Sequence, residues 1–114
     1  MRAHTRSHLV LYLWDYFYVS HAPRPGDEKA WVAIERATCR IRDAEIYLDK
    51  PTPVDVRLRN ARRMRNAVRL ATRNIERLSA MPERWVIDGL AELEALTTEL
   101  IGQTSDKARL VVLD

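Results

Sequence analysis

Between residues 28 and 49 the apolar positions fall at Ala30, Ile34, Ala37, Ile41, Ala44 and Leu48, a spacing of 4-3-4-3-4. That period draws one stripe along an α-helix and does not fit the alternation of a strand. Every other member is alanine, small enough to let a second helix come close. Trp31 and Tyr47 lie off the seam and widen it. A second pattern starts at Val54 and runs for roughly 27 residues, about 40 Å of helix. Val54, Ala61, Val68, Ala71, Ile75 and Leu78 share its buried side. A third, from about Pro82 to Gly102, buries Val86, Leu90, Leu93, Leu96 or Thr97, and Leu100.

The first element differs. From about Ser7, a plausible N-cap, to Ser20 it is apolar nearly all round, with Leu9, Val10, Leu11, Leu13, Trp14, Phe17 and Val19 among three tyrosines. Such a helix is buried on several sides. A four-helix domain of this size rarely buries one member completely, so part of this helix is expected in an oligomer interface. Aromatics also favour strands, but no second strand of similar quality exists to pair with it.

The joints are marked by proline and glycine. His21-Ala-Pro-Arg-Pro-Gly-Asp27 is a loop, and Asp27 is placed to cap the next helix. Lys50-Pro-Thr-Pro53 ends that helix; Thr52 is a good N-cap, with Pro53 in the first turn where its missing N–H costs nothing. Ala80-Met-Pro82 closes the long helix, and Gly102 suits a C-terminal stop. Gly89, inside a helical run, points to a close crossing. A short apolar tail, Leu110-Val-Val-Leu113, is expected to tuck against the bundle or pair with another chain. These signals predict an all-α chain: one domain over residues 1–114, a small bundle of four mostly antiparallel helices.

Charge adds a chemical bias. The net charge is +3, but residues 51–80 carry +6 and residues 81–103 carry −4. Sixteen of the nineteen basic residues are arginine, and eight of those lie between Val54 and Ser79, so the clustering exceeds any general taste for arginine. On a helix at ~100° per residue, Arg62, Arg65, Arg69, Arg73 and Arg77 fall within about 120° of one another, opposite the apolar side. A row of guanidinium groups suits phosphate or carboxylate. The candidate partners are a nucleic-acid backbone or an acidic protein. The competing reading is pairing within the bundle or across a dimer, with Asp88, Glu92 and Glu99 on one neighbour and Glu35, Asp43, Glu45 and Asp49 on another. No glycine turn of a helix-turn-helix joins the second and third helices, so base-specific readout is not expected.

The second candidate surface is the aromatic cluster Trp14, Tyr16, Phe17 and Tyr18, which suits an interface because such side chains anchor protein contacts. Core packing is the alternative. A homo-oligomer, or a small adaptor or inhibitor of the kind phages and mobile elements encode, would use this helix together with the Ala30–Leu48 seam.

Catalytic signals are weak. His4 and His8 stand at i, i+4, but no further ligand completes a metal set, although Asp15 and His21 are candidates on paper. Arg2 and His8 match a spacing found in some helical ribonucleases, in a stretch where chain order is doubtful. The single Cys39 excludes an intramolecular disulfide and has no histidine within its helix. Glu92 and Glu94, two apart, point in different directions. Gly-rich phosphate loops, zinc-finger spacings and di-iron motifs are missing. No apolar stretch approaches the ~20 residues that span a bilayer, and the N-terminal apolar run, broken by Asp15, makes a poor signal peptide. The sequence therefore predicts a cytoplasmic, non-enzymatic binding or regulatory protein, without cofactor, metal or an evident small-molecule substrate.

Overall fold

The computed structural model describes the backbone of residues 5–113 and the side chains of residues 5–107. Four helices pack around one core: α1 (Arg6–Asp15), α2 (Glu28–Leu48), α3 (Val54–Ile75) and α4 (Arg84–Leu113). A π-helical turn, Tyr16–Ser20, extends α1. Sequential neighbours run antiparallel. Arg6 meets Glu45 while Trp31 reaches the Phe17 carbonyl, and Arg63 meets Asp43 while Arg57 reaches the Leu48 carbonyl. α1 and α3 each contact α2 and α4 but not each other, so they lie on opposite sides of the bundle.

The two seams that the apolar spacing predicts form the core. Ile34, Ala37, Ile41, Ala44 and Leu48 of α2 are buried, as are Ala61, Met64, Ala67, Val68, Ala71 and Ile75 of α3. Val86, Leu90, Leu93 and Thr97 line the inner side of α4. Thr97 fits an apolar layer because its hydroxyl donates to the Leu93 carbonyl one turn back, at 2.8 Å. Asn60 and Asn74 are satisfied similarly, each amide donating to a carbonyl four residues earlier. α1 lies across α2 and α4, and Leu9 Cδ2 comes within 3.4 Å of where a Cβ on Gly89 would stand. The close crossing expected at Gly89 is therefore real.

The boundaries depart from the sequence reading in several places. Thr5, not Ser7, caps α1, accepting the His8 N–H; Ser7 instead donates to Glu45. Pro53 occupies the N-cap position of α3, and Thr52 donates to the Tyr47 carbonyl rather than capping. α3 ends at Ile75, and residues 76–83 form the joint to α4. Gly102 does not stop α4, which continues to Leu113 because Ile101 and Thr104 still pack inward. The apolar tail is thus the last part of α4; its side chains lie outside those described. Asp27 makes no capping bond. Its buried carboxylate accepts the Ser79 N–H at 3.1 Å and the Ser79 hydroxyl at 2.8 Å, tying the α1–α2 loop to the α3–α4 joint.

Candidate cationic interface

The outer side of α3, turned away from α1, carries the cationic face. Arg59, Arg62, Arg63 and Arg73 of α3 and Arg40 of α2 surround an open groove of about 910 Å³, with Asn66, Leu58 and Leu70 in its floor. Asp55 is the single carboxylate lining it. It stands 3.9 Å from Arg59 with both side chains largely exposed, a pairing that water screens strongly. Arg63 is 3.7 Å from Asp43 on α2. Arg62 and Arg73 are exposed and have no carboxylate partner among the described residues.

The five arginines read from the wheel therefore divide. Arg62 and Arg73 line the groove. Arg77 is exposed in the turn beyond α3, continuing the row without sharing its helix. Arg69 is engaged, its Nε donating to the Glu94 carboxylate on α4. Arg65 is half-buried, with its Nε sealed from solvent and lacking a hydrogen-bond partner. It stands at the edge of the 120° sector, where the face meets the bundle. Arg40, Arg59 and Arg63 were missed by a count along one face. Arg59 and Arg63 flank Arg62 at i−3 and i+1, while Arg40 comes from another helix and is found only once the α2–α3 pairing is known.

Internal pairing accounts for part of the charge. Of the carboxylates expected to answer α3, Asp43 meets Arg63, while Glu45 is occupied by Arg6 and Ser7 and Asp88 by Arg84 in the preceding turn.

The aromatic cluster also divides. Phe17 is 1% exposed and Tyr16 7%, so both belong to the core and are removed from any surface offered to another molecule. Both stand at the start of the π-helical turn. Its five-residue hydrogen bond, His21 N–H to the Tyr16 carbonyl at 3.1 Å, widens the backbone. Tyr16 stacks on His21, and its hydroxyl accepts the Glu83 N–H at 3.4 Å. Trp14 is half-buried beneath the Arg42 guanidinium, 4.4 Å from the ring centre. Tyr18 stacks on Trp14 and is half exposed. The neighbouring Cys39 side chain raises its phenol pKa above the ordinary value.

Among the described residues no group of three or more His, Cys, Asp or Glu is placed to hold a metal ion. His8 stacks on Tyr12, while His4 and Arg2 lie outside the described residues. No described helix is long and apolar enough to cross a membrane. No protein-family profile, curated protein or solved structure matches this chain.

Proposed function

We propose that this protein is a non-enzymatic binding module that holds a nucleic-acid backbone in the α2–α3 groove. The observation that carries the reading is the groove itself: five arginines from two helices against one lining carboxylate, with Arg62 and Arg73 free of any described partner. Guanidinium groups in such a row neutralise successive phosphates and release their counterions. The floor offers Leu58, Leu70 and Asn66 but no aromatic platform, so contact to phosphate and sugar is favoured over base stacking.

The test is fluorescence anisotropy against labelled duplex DNA and single-stranded RNA at ~50 and ~200 mM salt. Neutralising about four phosphates should weaken binding about 100-fold across that range. Absence of binding to either polymer at the lower salt would overturn the reading and leave the arginines internally paired or reserved for a protein.

A further inference from the structure

On the α1 side of the bundle, away from the cationic groove, α1 and α4 leave an open cavity of about 400 Å³ between them. That is room for a small ligand. It borders the close crossing of the two helices: Leu9 and Gly89 both line it. Tyr12 of α1 and Trp85 of α4 add two aromatic rings, exposed by 44% and 39%. Asp88 and Glu92 complete the lining and stand four residues apart on one side of α4. Every charged group that lines the cavity is therefore a carboxylate.

The Trp85 ring is held in place. Its indole N–H donates to the Glu83 carboxylate at 2.6 Å, and the ring stands edge-on to the buried Tyr16, with 5.6 Å between centres and planes at 84°. Tyr12 stacks on His8. Elsewhere the chain places its own cations over its aromatic rings: Arg42 lies over Trp14 at 4.4 Å and Lys50 over Tyr47 at 5.4 Å. Trp85 has no such cation among the described residues. Its neighbour Arg84 is turned to Asp88, 3.0 Å away, with both side chains mostly exposed, a pair that water screens and a ligand can displace. An electron-rich ring face and a pair of carboxylates attract the same kind of ligand, and neither suits an anion. Leu9 in the lining favours a cation that carries its charge on alkyl groups over a bare, strongly hydrated ion. We propose that the Tyr12–Trp85 cavity binds an organic cation of the alkylammonium class, its charged head against the Trp85 ring and its charge balanced by Asp88 and Glu92.

The test is nitrogen–proton correlation NMR on the full chain, titrated with choline chloride at constant ionic strength. The Trp85 indole and Gly89 amide signals should shift with half-saturation near ~1 mM, while the indoles of Trp14 and Trp31 stay still. The alcohol with a tert-butyl group in place of the trimethylammonium head has the shape of choline without its charge. It should bind about tenfold more weakly. Asp88→Asn combined with Glu92→Gln should weaken choline binding about fivefold, read at the same two signals. Trp85→Leu should weaken it about tenfold, read at Gly89, with the remaining amide signals reporting that the fold is kept. The amide of acetylated trimethyllysine carries the same head group on a side chain. Binding as tight as that of choline places the natural cation on a protein partner, and weaker binding places it on a free small molecule; both support the site. Equal affinity for choline and the neutral alcohol would overturn the proposal, because the cavity would then select for apolar shape alone. So would the absence of any shift up to ~20 mM choline, shifts shared by Trp14 and Trp31, or binding indifferent to the loss of both carboxylates. The cavity and the α2–α3 groove share no residue, so none of these results depends on nucleic-acid binding.

Discussion

α3 and α4 carry opposite charge, yet their side chains meet different fates. On α4, Asp88 is bonded to Arg84 and Glu94 to Arg69, while Glu83 in the preceding joint accepts the Trp85 indole N–H. On α3, Arg62 and Arg73 remain in the open without a carboxylate among the described residues. The two helices are adjacent and antiparallel, so proximity does not explain the difference. Position along the helix does. Arg69 is level with Glu94 of α4, while Arg62 stands about two turns earlier and Arg73 about one turn later on nearly the same column. Opposite blocks of charge cancel only where individual side chains stand level with each other.

Substitutions can break or sharpen this contrast. The largest effect is expected from Arg62→Glu combined with Arg73→Glu, which should weaken polyanion binding at least about 100-fold by anisotropy. Both side chains are exposed and unpaired, so the melting temperature should barely move. Asp27→Ala strikes a carboxylate that is fully engaged inside the fold. It strands the Ser79 N–H and hydroxyl at the joint between the two helices, and denaturant unfolding should show a loss of about 2 kcal/mol. Arg65→Met removes the sealed, unpartnered Nε and keeps the aliphatic bulk. Stability should rise by about 1 kcal/mol in the same assay, with polyanion binding nearly unchanged. The smallest effect is expected from Glu94→Gln. Losing a half-exposed ion pair should cost about 0.5 kcal/mol, while releasing Arg69 tightens polyanion binding about twofold.

Those variants also mark what could be read from the chain alone. The inner sides of α2 and α3 were legible because their apolar residues keep helical period without interruption. Arg62 and Arg73 were legible as their mirror image. Arg65 was misplaced because a wheel gives an angle but not the width of the neighbour that covers it. Arg40 was missed because its contribution depends on how α2 docks on α3. Gly102 carried a correct local preference that lost to packing: Ile101 and Thr104 on either side still face the core. Asp27 likewise had the chemistry of a cap, but Ser79, distant in sequence, offered two donors. Trp14, Tyr16, Phe17 and Tyr18 showed too little difference in polarity to say which would face inward.

The π-helical turn after α1 sets the length of the path that follows it. A widened turn accommodates one residue more than the α-helix it interrupts while preserving the register on either side. Its two flanks are both committed: the Leu9–Leu13 docking surface before it and the loop that delivers Asp27 to Ser79 after it. Deleting one residue between Tyr16 and Ser20 would close the turn to α-helix and shorten that path, so the wide turn is the slack by which the loop reaches its joint.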